Sequence, residues 1–173
     1  MHQGFKDAYM YLSDQILPAF LALSQKYYYA KLLITGHSLG GAMATISVLD
    51  AMEMVGKPID YFYTFGSPRV GNEAFADYLN QNLKLSKSSF LPATTFNARI
   101  THYKDPVPHL LLSSFGFKHI DLEVYYEEDN NSYTVCQPGQ DESCSDQHIV
   151  SLNIEDHLNY MGVAKQNYDY LCN

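Results

Sequence analysis

LLITGHSLGGAMA, residues 32–44, decides how this chain is read. An apolar run stops at a glycine, shows one serine, and resumes as small apolar residues. Lys31 to Thr35 reads as a short buried strand. Leu39 to Val55 reads as a helix, ended by Gly56 and followed by Pro58. Between them, Gly36-His37-Ser38-Leu39-Gly40 fits G-x-S-x-G, a sharp strand-to-helix turn that exposes its serine. Gly36 and Gly40, two residues before and after Ser38, are expected to crowd the neighbouring strand and helix and so to lack side chains for steric reasons. The turn would lift the Ser38 hydroxyl above the carboxyl end of a strand, where open α/β sheets bind ligands. The following helix points its N-terminus at that place, and the Leu39 amide can donate to a developing oxyanion. The competing reading is a serine in a helix-capping turn. The strand before it and the helix after it favour a nucleophile.

The rest of the chain extends the same alternation. Residues 4–29 place Phe5, Tyr9, Leu12, Ile16, Phe20, Leu23 and Tyr27 at helical spacing, with Pro18 predicting a kink or break. Ile59 to Phe65 is a second strand, and Asn72 caps a third helix, EAFADYLNQNL. Arg99 to Tyr103 is a third strand. Lys118 to Tyr126 and Ser132 to Cys136 read as a hairpin around EEDNN, and a last short helix spans about Ile154 to Met161. Strands alternating with helices imply right-handed crossovers and a mostly parallel sheet. No linker or repeat divides the 173 residues, so a single domain over 1–173 is expected.

Composition sets limits on partners. The formal net charge is −8, which argues against nucleic acid, because phosphate binding needs clustered Lys and Arg. No apolar run approaches the ~18 residues of a membrane span. The N-terminal residues MHQGFKDAYMYL show no basic region followed by an apolar one, so no signal peptide is visible. Cys136 and Cys144 flank QPGQDES, a turn-rich loop that can close a disulfide or leave free thiols. Cys172 is the third cysteine. No Cys-x-x-Cys pair or histidine cluster has ligand spacing, so no metal is expected. Asn130-Asn131-Ser132 is a glycosylation sequon, usable only in a secreted protein.

A serine nucleophile needs a base, and the base needs an orienting acid. Of the histidines, His37 adjoins Ser38 and is expected to point away into packing, while His102 lies in a predicted strand. A base from a late loop leaves His148 and His157, and His157 sits at the start of the predicted last helix. For the acid, Asp105 directly follows the strand RITHYK in a loop stiffened by Pro106 and Pro108. Asp121 and Glu123 are expected at the surface of the hairpin, and Asp156 as a helix cap.

Taken together, these blocks resemble the class 3 lipases, the fungal-type family of α/β hydrolases. The resemblance is carried by HQGF at 2–5, ITGHSLGGAMA at 34–44, YTFGSPRVGNEAFADY at 63–78, RITHYKDPVPHL at 99–110, GFKHIDLEVYY at 116–126, CSD at 144–146 and DHLNYMG at 156–162. It implies an α/β-hydrolase-like, mostly parallel sheet with helices on both faces, and a triad of Ser38, Asp105 and His157. It implies lipid esters as substrates, met at a lipid–water interface, no cofactor, and a Cys136–Cys144 disulfide. It also implies a secreted or luminal protein, provided that the full-length chain carries a signal peptide. In the family, strands bearing a second oxyanion residue and a helical lid precede the H-x-G-F block. Here Met1 begins almost on that block, so the domain is expected to be truncated at its N-terminal side. Two functions follow: a serine carboxylic-ester hydrolase, or a catalytically weak relative that keeps the scaffold to bind lipid or protein. LLLSSFGF at 110–117 reads equally as an acyl groove or as core.

Overall fold

A computed structural model of the chain describes residues 1–83, 96–138, 142–150 and 152–164. Cys172 lies outside them. In chain order the elements are α1 (Gln3–Lys26), β1 (Leu33–His37), α2 (Leu39–Val55), β2 (Tyr61–Phe65), β3 (Gly71–Asn72), α3 (Glu73–Asn82), β4 (Phe96–His102), β5 (Phe117–Lys118), β6 (Glu123–Tyr126), β7 (Tyr133–Val135), α4 (Ile154–His157), β8 (Asn159–Tyr160) and β9 (Val163–Ala164).

The main sheet has the order β1-β2-β4-β6-β7, with β1, β2, β4 and β6 parallel and β7 antiparallel at the edge. This is the mostly parallel α/β sheet that the alternation of elements implies. The helix-covered face carries Phe62 and Thr64, in register with Asn97 and Arg99 of β4. Apolar residues of α2 (Ala44, Val48, Ala51) and α3 (Ala76, Leu79) bury Phe62 there, and Leu17 and Phe20 of α1 pack against the same core. A second cluster joins Tyr9 of α1 to Ala42 and Ile46 of α2. Because α2 packs against both the sheet and α1, it is apolar nearly all round, as a helix covered on two sides must be.

The layers are uneven. The opposite face is covered at its carboxyl end by the α4–β8 segment, whose Tyr160 meets Phe65 and His102 edge-on. The long helices therefore share one face, and the short α4 segment lies on the other.

Several local expectations shift. The α2 bounds agree with the sequence reading, and Gly56 caps it in the left-handed region at φ 71°. Asn72 caps α3 by accepting from the Phe75 amide. α1 runs through Pro18 without ending there. β1 lies two residues further along than predicted, pairing with β2 from Leu33 opposite Tyr61 to His37 opposite Phe65. The predicted strand from Lys118 splits: Phe117–Lys118 pairs with β3, and only Glu123–Tyr126 forms the hairpin with β7. Glu123 is not at the surface but 5% exposed, paired with Arg99 across adjacent strands at 2.8 Å. Cys136 and Cys144 form the disulfide, and both are buried.

Candidate active site

Ser38 sits between β1 and α2 at φ 57° and ψ −127°. A non-glycine residue there is strained by about 1–3 kcal/mol. The surrounding contacts over-determine it. The Ser38 amide donates to the Phe65 carbonyl at 2.9 Å, and its own carbonyl accepts from Gly41 at 2.9 Å. Gly36 is sterically required, since a Cβ on it would stand 2.2 Å from the Gly40 carbonyl oxygen. The expectation for Gly40 is corrected: a Cβ there would meet nothing within 4 Å, whereas one on Gly41 would stand 2.9 Å from the Ser67 Cβ. The crowded second glycine is thus Gly41, because α2 turns that residue, and not Gly40, toward the loop after β2. Leu39 is the first residue of α2, so its amide has no intrahelical acceptor.

Three side chains from distant segments meet here. His157 Nε2 lies 2.9 Å from Ser38 Oγ. His157 Nδ1 lies 2.9 Å from Asp105 Oδ2. A carboxylate oxygen accepts, so Nδ1 carries the proton and Nε2 is free to accept from the serine. Asp105 is only 1% exposed and follows β4 in a loop that folds back on it, with the Val107 amide donating to Oδ1 at 2.8 Å. His157 ends α4 and does not begin it; the helix is a single turn, and β8 follows. His148 is elsewhere, its ring edge-on to Tyr103. Asp156 does not cap α4. It accepts from the Asn153 side chain at 2.7 Å, and its carbonyl accepts from His102 Nδ1 at 3.0 Å.

Three further residues complete the site, and sequence reasoning missed them or misplaced them. The Tyr160 hydroxyl donates to Asp105 Oδ2 at 2.5 Å, the same oxygen that holds His157. Burial, and then the Asp105 carboxylate, push the Tyr160 hydroxyl well above the ordinary tyrosine range, so it stays a donor. His37 is in packing, as expected, but what it packs against is the site itself. Its Nε2 donates to the His157 carbonyl at 2.8 Å, and the two rings lie 4.5 Å apart. Gly66, at φ 56°, approaches all the buried members at once: a Cβ there would stand 2.7 Å from Asp105 Oδ2, 2.9 Å from Tyr160 Oη and 3.0 Å from His157 Nδ1. The one signal in the sequence for Gly66 was its position directly after the β2 strand. Nothing local signalled Tyr160, because its partner lies 55 positions away.

The apolar stretch after the acid is settled in part. Leu110, Leu112 and Phe115 are exposed, which removes the core reading for those three. Leu39 is exposed as well.

A sequence profile of the family described as Lipase (class 3) matches residues 1–115. A lipase of Rhizomucor miehei is 34% identical over 169 residues, covering 94% of this chain and 43% of that protein. A solved Rhizomucor miehei lipase propeptide complex superposes with TM-score 0.80 at 31% identity, over 94% of this chain and 50% of that one. The secreted mono- and diacylglycerol lipase 1 of Fusarium solani is 35% identical over 139 residues, covering 79% of this chain and 38% of that protein. A solved triacylglycerol lipase, described as having a serine protease triad as its catalytic centre, superposes with TM-score 0.77 at 31% identity, over 94% of this chain and 59% of that one. The chain spans less than half the length of the curated relatives it matches. With the family profile matched over most of its length, and the fold shared, the chain belongs to the class 3 lipase family.

Proposed function

We propose that this chain carries the reacting centre of a serine carboxylic-ester hydrolase that acts on acylglycerols or related lipid esters. The observation that carries the proposal is the continuous path from Ser38 Oγ through the His157 ring to Asp105, at 2.9 Å for each step. Ser38 Oγ attacks the ester carbonyl carbon while His157 Nε2 takes its proton. Asp105 holds the ring in the required tautomer and stabilises the imidazolium. The Leu39 amide, at the positive end of α2, donates to the carbonyl oxygen as it becomes an oxyanion. His157 then gives the proton to the leaving alcohol. Water, activated by the same histidine, attacks the acyl–serine and releases a carboxylic acid. A binding scaffold would have no use for these three side chains hydrogen-bonded in order, which disfavours the non-catalytic reading.

Lipid esters are supported by exposed apolar residues, Leu39 next to Ser38 in the chain and three more in the stretch that follows the acid. Leu39, Leu110, Leu112 and Phe115 could contact an acyl chain or a lipid surface. The family relatives described as acylglycerol lipases point the same way. Secretion is supported by the disulfide, which persists in oxidising compartments, and by the relative described as secreted. The test is hydrolysis of a short-chain aryl ester by the full-length protein and by its Ser38→Ala variant. Wild type should turn over, and the variant should fall by about 10⁴-fold or more. Equal rates in the two would sink the proposal.

A further inference from the structure

A cavity of about 380 Å³ lies away from the triad, and none of Ser38, Asp105 or His157 lines it. Its walls include Arg69, Arg99, Ser113, Phe117, Lys118 and His119. Arg99 projects from the helix-covered face of β4, opposite to the face that carries His102 and the α4–β8 segment. Arg69 and Arg99 are both 4% exposed. Buried guanidinium groups normally have an acceptor for each edge. Here the Nε and Nη1 atoms of Arg99 have no hydrogen-bond partner among the described residues. Arg69 donates Nη1 to the His109 carbonyl at 3.0 Å, but its Nη2 lies 3.6 Å from Asp146, beyond hydrogen-bond distance.

Carboxylates also line this space, and two of the three are occupied by hydrogen bonds. Glu123 accepts from Thr101 at 2.6 Å, from the Ser145 amide at 3.3 Å and from Arg99 Nη2 at 2.8 Å, so both of its oxygens are occupied. Glu73 is held by Lys118 at 3.0 Å on the rim. Asp146 is the ion-pair partner of Arg69 at 3.6 Å, without a hydrogen bond to it, and lies 3.7 Å from His109. The donors left without an acceptor at the centre are Arg99 Nε and Nη1. The local field agrees: after burial, the charges of Arg99 and Arg69 are what keep His119 neutral, well below the ordinary histidine range. The His119 Nε2–H donates outward to the Pro108 carbonyl at 2.7 Å.

We propose that this cavity is an oxyanion site, in which the Arg99 and Arg69 guanidinium groups hold a carboxylate or phosphate group. Phe117 and the bare backbone of Gly116 form an apolar flank. The flank would take the short tail of a carboxylate and would be unused by inorganic phosphate. The ligand is thus recognised by its charged head, and the flank sets a preference between the two sources. The site does not depend on the ester-hydrolase proposal, because it is read by binding and not by turnover.

The experiment is a titration of the full-length protein with sodium phosphate and, separately, with sodium butyrate. Ionic strength is held constant with chloride, which also serves as the control titration. Amide and arginine Nε–H resonances are followed. The proposal expects saturable shifts at Arg99 Nε–H and at the amides of Phe117 to His119 with at least one of the two anions. Tighter binding of butyrate would identify an acyl carboxylate as the ligand, and tighter binding of phosphate a phosphate group. Ser113→Trp, which puts a large ring at the cavity wall, and Arg99→Lys, which keeps the charge but removes the fork, should each weaken binding by about tenfold or more. If Arg99→Lys does not fold, Ser113→Trp decides alone. Shifts that merely follow chloride, or saturation that survives unweakened in a folded variant, overturn the proposal.

Discussion

Gly66→Ala tests the geometry of the site more sharply than removal of any reacting group, because it adds a single methyl. Gly66 follows β2 at φ 56°, and its amide donates to the Ile100 carbonyl at 3.0 Å, which fixes its place against β4. An added Cβ would stand 2.7 Å from Asp105 Oδ2. To restore ordinary contact the carboxylate must retreat by roughly 0.7 Å, with comparable shifts for Tyr160 and His157. These groups are buried and bonded to one another, so no one of them can yield alone. The backbone cost of alanine in the left-handed region is about 1–2 kcal/mol. Overpacking adds about 1–3 kcal/mol. The effect on rate is larger, since misplacement on the order of 1 Å costs about 10²-fold, and full loss of histidine orientation about 10⁴-fold. The assay is kcat on a short-chain aryl ester beside a urea melt, with Gly56→Ala as control. Gly56 has the same kind of backbone, φ 71°, but a Cβ there meets nothing within 4 Å. Gly56→Ala should lose stability of about 1–2 kcal/mol and no turnover. A Gly66→Ala protein that melts like the control and retains kcat within a few-fold would refute the reasoning.

Two other outcomes follow from the buried polar groups. Tyr160→Phe removes one of the donors to Asp105 Oδ2 and should lower kcat/KM by about 10- to 100-fold, the worth of a hydrogen bond to a charged group. Burial and Asp105 keep the Tyr160 hydroxyl protonated beyond the ordinary tyrosine range, so the defect should be equal at about pH 7 and about pH 9. A defect confined to one of the two would show that hydroxyl donation is not the cause. For Glu123, burial by itself would raise the carboxyl, but Arg99 and the Ser145 and Thr101 donors outweigh it and hold its pKa below the ordinary value. A depressed folded-state pKa stabilises above the unfolded pKa, about 4.3, and that contribution is lost as pH falls through the folded value. Wild-type stability should therefore drop on acidification below about pH 4.5. Glu123→Gln should be weaker at neutral pH by about 3–5 kcal/mol, the cost of breaking a buried pair, and should show a shallower acid slope by urea melts. Parallel acid slopes would remove Glu123 from the account.

What could be read from the residues was what local sequence controls. The helix after Ser38 was read to its ends because Gly56 supplies a left-handed cap and Ser38 a break, both local events. β1 starts at Leu33 and not at Lys31 because the Leu32 amide donates to the Asp60 carboxylate at 2.9 Å in place of a ladder bond. The stretch 118–126 looks continuous in sequence because nothing in it announces the pairing of Phe117–Lys118 with Gly71–Asn72. Glu123 was read as a surface residue because a charged side chain in a hairpin usually is one. Its partner Arg99 stands beside it only through the register of β4 and β6.

The same division holds at the site. The elbow is legible locally, since a sharp strand-to-helix turn at Ser38 follows from the spacing of glycines and apolar residues. Position along the chain also brought Asp105 and His157 forward as the acid and the base. Folding set the rest: it put His157 Nε2 2.9 Å from Ser38 Oγ, moved the steric requirement from Gly40 to Gly41, and packed His37 against His157. It alone brought Gly66 and Tyr160 against Asp105. The physical reason is that Ser38 and His157 are 119 positions apart, and Asp105 and Tyr160 are 55 apart. Residues at such separations meet through strand order and register, and no local pattern encodes those distances.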